Sequence, residues 1–324
     1  MLTVRDVGEF GLIDRIAGIL PKSPIVVDGV GDDCAVLRLG ERLLLASCDQ
    51  SIDNVHFCRA NIAPDDIGWK AAATAISDIA AMGGTPLFGL VALSCPADTG
   101  VSYIEALYQG LANVFSQYGA VIVGGDTVES DGPLTLDVTV VGEVRGTRCL
   151  RRRGALAGDV LAVTGHLGLA AAGLYALEHG KDVPDLTQRQ HRPRPRVREG
   201  QWLSARPEVH SMIDVSDGLL QDVGHLARAS ELGVDIDPSA LPVAEALAQY
   251  CQQAEMDPLE LIMKGGEDYE LAFSMDCSRC AETMAAIGNE FRTLITVVGR
   301  FTDEWTGVRV NGVELEETGY HHFR

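Results

Sequence analysis

The sequence predicts a mixed α/β protein of two domains, on three observations. Its 324 residues are enough for two domains at about 150 residues each, with a sizeable core in both. Strand-like apolar runs alternate with helical segments through both halves. Hydrophobic residues make up 46% and charged residues 22%, with no low-complexity tract between them, so a folded chain is expected.

The opening segment MLTVRDVGEFGLIDRIAGIL mixes charges into a helical apolar pattern and lacks the apolar core and cleavage site of a signal peptide. It reads as a helix. Leu43 to Cys48 is a compact apolar run, Pro64 to Met82 a helix, Leu87 to Leu93 a strand and Ser102 to Tyr118 a further helix. Ser102 and Glu105 have capping-box spacing for its start, and Gly119 suits a left-handed cap at its end. Ala120 to Val123 reads as a buried strand, and Leu134 to Val144 alternates as a long one. The polar, basic, Gly-containing stretch Arg145 to Asp159 predicts the boundary, with domains at 1–146 and 147–324. Beyond it come a strand at Val160 to Val163, helices near Leu167 to Glu178 and Gly218 to Leu232, and a strand at Tyr269 to Ser274. Arg189 to Gly200, RQHRPRPRVREG, places five arginines around two prolines and predicts an extended, solvated loop leading to a helix.

Acidic groups outnumber basic ones 46 to 26, for a net charge of −20. That field repels nucleic acid and anionic membranes, so neither is an expected partner, and a phosphate handled here needs cations to screen the acid. The longest uncharged stretch, Val160 to Leu177, is split by Thr164, Gly165, His166 and Gly168 into a strand, a tight turn and an Ala-rich helix, which removes it as a membrane span. Eight scattered cysteines predict cytoplasmic thiols. Cys277 and Cys280 form a C-x-x-C with no second ligand pair, and read as ordinary thiols.

Walker, dinucleotide-fingerprint, nucleophile-elbow and zincin motifs are all missing from the chain. What remains is aspartate at strand ends. GVGDDCA places Asp32 and Asp33 between a Gly-rich turn and an apolar strand, and LLLASCD ends a second run on Asp49. VIVGGDT ends a third on Asp126, with Gly124 and Gly125 leaving the backbone uncovered, and IDVSDG supplies Asp214, Ser216 and Asp217 before the next helix. Any one of these reads equally as a turn residue or a helix cap. Four sites with one layout point to a shared ligand.

Asp78 shares its helix face with Ala71, Thr74, Ala75 and Met82, a stripe suited to close packing. A carboxylate there needs a hydrogen-bonded partner, a counter-charge or a metal. Mg²⁺ prefers oxygen ligands and combines a few carboxylates with waters and phosphates. Several Mg²⁺ ions bridging phosphate oxygens to Asp33, Asp49, Asp78, Asp126 and Asp214 would hold a nucleotide without a P-loop. Arg151, Arg152 and Arg153 add forks suited to phosphate oxygens, or a charged surface turn.

In combination and order, these motifs resemble the thiamine-monophosphate kinases of the aminoimidazole ribonucleotide synthetase-like (PurM-like) superfamily. The resemblance runs nearly end to end: GEFGLI, GDDCA, the Asp49 to Phe57 segment ending HF, SDIAAMGGTP, GGDT, RRRGALAGD, DVSDGL, GGEDYEL and GYHHF. GGEDYEL with GYHHF points to these kinases within the superfamily, and the lack of a glycine-rich N-terminal segment with a reactive Cys argues against the selenophosphate-synthesising branch. The resemblance implies a two-domain PurM-like fold, its N-terminal α/β domain pairing across a homodimer and its C-terminal α/β domain closing a cleft. It implies ATP-dependent phosphorylation of thiamine monophosphate to thiamine diphosphate.

Carried over by motif, Asp33, Asp49, Asp78, Asp126, Asp214 and Asp217 would bind Mg²⁺, with Ser47 and Cys48 at positions that also touch metal. Tyr108, Gly125, Asp126, Arg152 and Ser216 would contact ATP, and His56, Glu267 and Tyr320 the thiamine substrate. Cys48 stands where the family usually has threonine; a hard cation prefers a hydroxyl to a thiol, which leaves the backbone carbonyl as ligand there. The expected reaction is direct in-line transfer without a covalent intermediate or a catalytic base, because a phosphate monoester is already an adequate nucleophile. Two rival readings remain at this level: an amide-activating synthetase of the same superfamily, and an ATP-sensing protein without turnover.

Overall fold

Alternating apolar residues in the first half build strands that one pair of helices covers. The structure, a computed structural model, describes residues 2–146, 148–315 and 319–320. The chain runs through α1 (Val4–Ile19), β1 (Val26–Asp28), β2 (Ala35–Leu39), β3 (Arg42–Ile52), α2 (Pro64–Ala81), β4 (Thr85–Cys95), α3 (Val101–Gln117), β5 (Val121–Glu129) and β6 (Thr135–Glu143). The strands form one sheet in the order β1-β2-β3-β6-β4-β5. β6 alternates strictly, burying Leu136, Val138 and Val140 on the face that α2 and α3 cover.

Glycine sets how closely those helices approach. A Cβ on Gly68 of α2 would sit 1.9 Å from the Leu107 carbonyl oxygen, and one on Gly110 of α3 would sit 1.9 Å from that of Asp65. Each helix therefore rests its backbone on the other, which draws α2 inward along its Ala-rich face.

The second half adds β7 (Val160–Thr164), α4 (Leu169–Glu178), α5 (Pro184–His191), α6 (Val197–Ser204), β8 (Val209–Val215), α7 (Leu219–Ala229), β9 (Gly233–Ile236), α8 (Glu245–Ala254), α9 (Pro258–Lys264), β10 (Glu270–Met275), α10 (Cys280–Phe291), β11 (Ile295–Thr302), β12 (Gly307–Val310) and β13 (Val313–Glu314). They form a second sheet, β13-β12-β9-β11-β7-β10-β8. β7 is buried on both faces: Leu161 and Val163 enter one core, Val160 and Ala162 another. That explains its unbroken apolar run. The fold is the mixed α/β architecture expected.

Three local expectations need correction. The helix expected to begin at a Ser102–Glu105 capping box starts earlier, with Gly100 as N-cap and no side-chain cap bond, so Ser102 already lies inside the first turn. Gly119 does take the left-handed conformation, at φ 71°. The strand expected to be buried at Ala120 to Val123 is β5, at the edge of the sheet beside β4, longer than expected and largely exposed on its faces. The arginine-rich segment is not a solvated loop: Arg189 lies in the last turn of α5, Arg192 pairs with Asp65 and Asp66 and stacks over Trp69, and Arg196 forks onto Glu270. Among the described residues, no helix is long and apolar enough to cross a membrane.

Candidate active site

The two-residue period of β3 sorts its polar end. Ser47 and Asp49 lie opposite Val140 and Val138 and share their buried face, whereas Cys48 lies opposite Thr139 on the other. α2 brings Asp78 to the first pair: Ser47 Oγ donates to Asp78 Oδ2, and Asp49 shares a hydrogen bond with the same carboxyl. Asp33 enters from the loop before β2, and Asp214 from the end of β8 in the second half. Asp33, Asp78 and Asp214 each present an oxygen within 4.8 Å of the others.

Local partners hold these acids in place. Ser77 Oγ donates to Asp214 Oδ2 at 2.5 Å, and Arg152 donates to Asp33 Oδ1 from Nε and Nη2 at 3.1 and 2.7 Å. The backbone N–H of Arg152 also donates to Asp32, so the arginine-rich turn is clamped to the GDD loop twice. Asp222 of α7 accepts from the N–H groups of Ser216, Asp217 and Gly218 at 3.0 to 3.1 Å, wrapping the turn after Asp214 around a buried carboxyl. Asp217 turns to Gln221, which donates to it at 2.9 Å.

A second polar group lies further along α2. Lys70 Nζ meets Glu267 Oε1 at 2.7 Å and donates to the His56 carbonyl oxygen at 3.1 Å, drawing two of the expected substrate contacts together. Tyr320 N–H donates to the Asp217 carbonyl oxygen at 3.2 Å, so the chain end reaches the same cleft; His321 to Phe323 of GYHHF lie outside the described residues. Between the two groups, Thr74 Oγ1 and the hydroxyl of buried Tyr269 are 3.0 Å apart.

The AIR synthase related protein models match this arrangement, the N-terminal domain over residues 31–144 and the C-terminal domain over 157–310. The thiamine-monophosphate kinase of Escherichia coli K12 is 36% identical over 98% of both chains, and that of Aquifex aeolicus 35% identical over 99% of this chain and all of its own. The chain belongs to the thiamine-monophosphate kinase family. A solved structure described as AaThiL complexed with AMPPCP and TMP superposes on this member of the family with a TM-score of 0.89, at 34% identity, covering 100% of this chain and 99% of the other.

Within this family member, not every expected residue joins the three carboxylates. Asp126 lies exposed on β5, and its partner across β4 is Ala92, on the face opposite Asp49. Cys48 Sγ faces the same way, donating to Asp137 at 2.8 Å. Tyr108 follows Leu107, whose carbonyl oxygen meets Gly68 of α2, and Gly68 lies ten residues, about 15 Å, before Asp78 along that helix. Gly125 has a packing role as well, since a Cβ there would stand 1.8 Å from the Val91 carbonyl oxygen. The residues missed from sequence were Lys70, Ser77, Asp222, Asp268 and Tyr269. Lys70 carried the signal that exposed Asp78, a lone charge on an Ala-rich helix face; Asp268 and Tyr269 lie within the GGEDYEL motif, and nothing local marks Asp222.

The carboxylates fit a hard cation. Burial, then Asp49, Asp214 and Asp33, push the Asp78 carboxyl well above the usual range. Burial and Asp33 bring Asp214 to about 8, and burial brings Asp49 to about 6. Burial likewise raises Asp33, with Arg152 opposing it. Protein groups therefore leave this cluster short of positive charge. Among the described residues, Asp33 Oδ2 and Asp49 Oδ2 are buried with no hydrogen-bond partner, which is where a cation would be met.

Proposed function

We propose that this chain transfers the γ-phosphoryl group of ATP to the phosphate of thiamine monophosphate, giving thiamine diphosphate and ADP. The observation that carries the reading is the convergence of Asp33, Asp78 and Asp214 from both halves of the chain, in a family whose curated members bear that activity in their names. Asp33, Asp78 and Asp214 would hold Mg²⁺, with Asp49 beside them and Asp217 at the rim. The metal would supply charge neutralisation between two anionic phosphates.

The protein's own part is positioning. Arg152 presents its fork beside the carboxylates and is our assignment for a nucleotide phosphate, with Ser216 on the turn that Asp222 holds. His56, Glu267 and Tyr320 form the opposite end of the cleft and would take the thiamine moiety. The acceptor phosphate attacks in line and needs no general base, so rate comes from orientation and exclusion of water.

We further propose a homodimer joined through the open face of the first sheet, with 1–146 as the ATP, Mg²⁺ and dimerisation domain and 147–324 closing the cleft. That face leaves Leu90, Val128 and, at the edge, Val121 at 40%, 49% and 59% exposure. Asp126, and the backbone at Gly125, would then serve the nucleotide from across the dimer, with Cys48 contributing at most its backbone; Tyr108, on α3 over the other face, would act from its own subunit. The eight unpaired cysteines support a cytoplasmic setting.

The test is a chromatographic assay with thiamine monophosphate, ATP and Mg²⁺, with chelator and no-acceptor controls. Equimolar thiamine diphosphate and ADP, lost on chelation, is the expected result. A folded, ATP-binding protein that makes neither product overturns the reading. A monomer in sedimentation velocity overturns the dimer.

A further inference from the structure

Lys70 is a lysine in the middle of a buried helix face, only 4% exposed. An ammonium withdrawn from water requires a counter-charge, and among the described residues Glu267 supplies it at 2.7 Å. The consequence falls on Glu267. Its Oε1 is committed to Lys70, and among the described residues Oε2 accepts only from Gln190 Nε2 at 3.3 Å, beyond the usual N–H···O range. Its backbone is held in the left-handed region at φ 69°, with its N–H donating to the Ser216 carbonyl oxygen at 2.7 Å. The carboxylate is thus fixed in place, close to neutral as a pair, with one oxygen weakly engaged.

We propose that Lys70 is a positioning residue: by neutralising Glu267 and holding the His56 carbonyl, it makes this end of the cleft a receptor for an uncharged N–H donor of the substrate rather than for its cationic ring. An unpaired glutamate would attract the thiazolium by charge. A paired one offers a directional acceptor, which suits the exocyclic amine of the aminopyrimidine. The same helix face sets the distance to the carboxylates, since Lys70, Thr74 and Asp78 follow at four-residue steps and Lys70 to Asp78 spans about 12 Å. At each step α2 touches the second half of the chain: Glu267 from Lys70, Tyr269 from Thr74, and Asp214 from Ser77 beside Asp78.

This inference rests on thiamine monophosphate being the acceptor. It is tested by steady-state kinetics of the full chain as wild type, Lys70→Met, Lys70→Arg and the double variant Lys70→Met/Glu267→Gln, varying each substrate separately. A thiamine monophosphate analogue whose pyrimidine amine is replaced by a carbonyl oxygen is compared throughout. Lys70→Met is expected to raise the KM for thiamine monophosphate about tenfold or more while the KM for ATP stays within about twofold, and Lys70→Arg to recover most of the loss. Wild type should reject the analogue by about tenfold or more, and the double variant should lose that discrimination. Should Lys70→Met fail to fold by circular dichroism, the double variant, which removes both charges, carries the comparison with the analogue. Equal shifts in both KM values, no shift in either, or wild-type indifference to the analogue overturns the proposal while leaving the reaction intact. A folded wild type that makes no thiamine diphosphate overturns the proposed function itself, and this inference with it.

Discussion

Ser77 Oγ donates to Asp214 Oδ2 at 2.5 Å, joining α2 of the first half of the chain to the end of β8 in the second. One residue further on, Asp78 presents its carboxyl to the same Asp214 and to Asp33. Neither half carries all three acids, so the cluster forms only when the halves are apposed. Asp214→Asn keeps an acceptor for Ser77 while removing one negative charge. It is expected to lower kcat by about 10²-fold or more, as loss of an electrostatic clamp does, without lowering the melting temperature of the metal-free protein. Product formation and circular dichroism on one preparation check both halves of that statement.

Mg²⁺ binding should stabilise the fold, because the cluster lacks positive charge without it. At a free concentration a hundred times its dissociation constant, a single bound ion adds about 2.7 kcal/mol. A thermal shift with Mg²⁺, reversed by chelator and absent in Asp78→Asn, is the expected result.

Asp268 predicts a pH dependence of its own. Burial pushes this carboxyl up to about 8, although the N–H groups of Gly168 and Ala170 donate to it at 2.6 and 3.3 Å. The unfolded chain ionises the group near its ordinary value of 3.8, whereas the folded chain holds the proton to about 8. The folded state is therefore favoured most below about pH 4, and that advantage falls as pH rises toward 8, by at most about 1.4 kcal/mol per pH unit. With Mg²⁺ present to neutralise the carboxylate cluster, the urea midpoint should fall between pH 5 and pH 8. Asp268→Asn should flatten that slope.

Asp222→Ala removes the acceptor for three backbone N–H groups in the turn that carries Ser216 and Asp217. The expected cost is about 2–3 kcal/mol in a denaturant titration, together with a fall in phosphoryl transfer. Asp222→Asn should fall between the two, since its carbonyl oxygen still accepts. Equal activity in all three proteins would show that the turn holds its shape without this side chain.

Much of the fold was legible because its signals are local. The alternation of Leu134 to Val144, the apolar run at Val160 and the left-handed Gly119 each follow from side-chain period or backbone sterics, and they stand in β6, β7 and the end of α3. β5 was misread as buried because an apolar run shows hydrophobicity but not what packs on the strand's two faces. The Ser102 capping box failed because spacing alone does not say which residue is the cap.

By itself the sequence determined the α/β class, the strand-end aspartates and the demand that Asp78 find a partner, because each depends on neighbours within a few residues. Only the tertiary structure decided which acids meet. Asp33, Asp78 and Asp214 come together because α2, drawn in by the Gly68–Gly110 crossing, faces β8 of the other half. Asp126, with an equally persuasive GGDT motif, falls on the opposite face of the sheet because the pairing of Asp126 with Ala92 sets which way its side chain points. Lys70 and Glu267, 197 positions apart, become an ion pair by the same long-range docking, and no local pattern encodes which residue waits across a cleft.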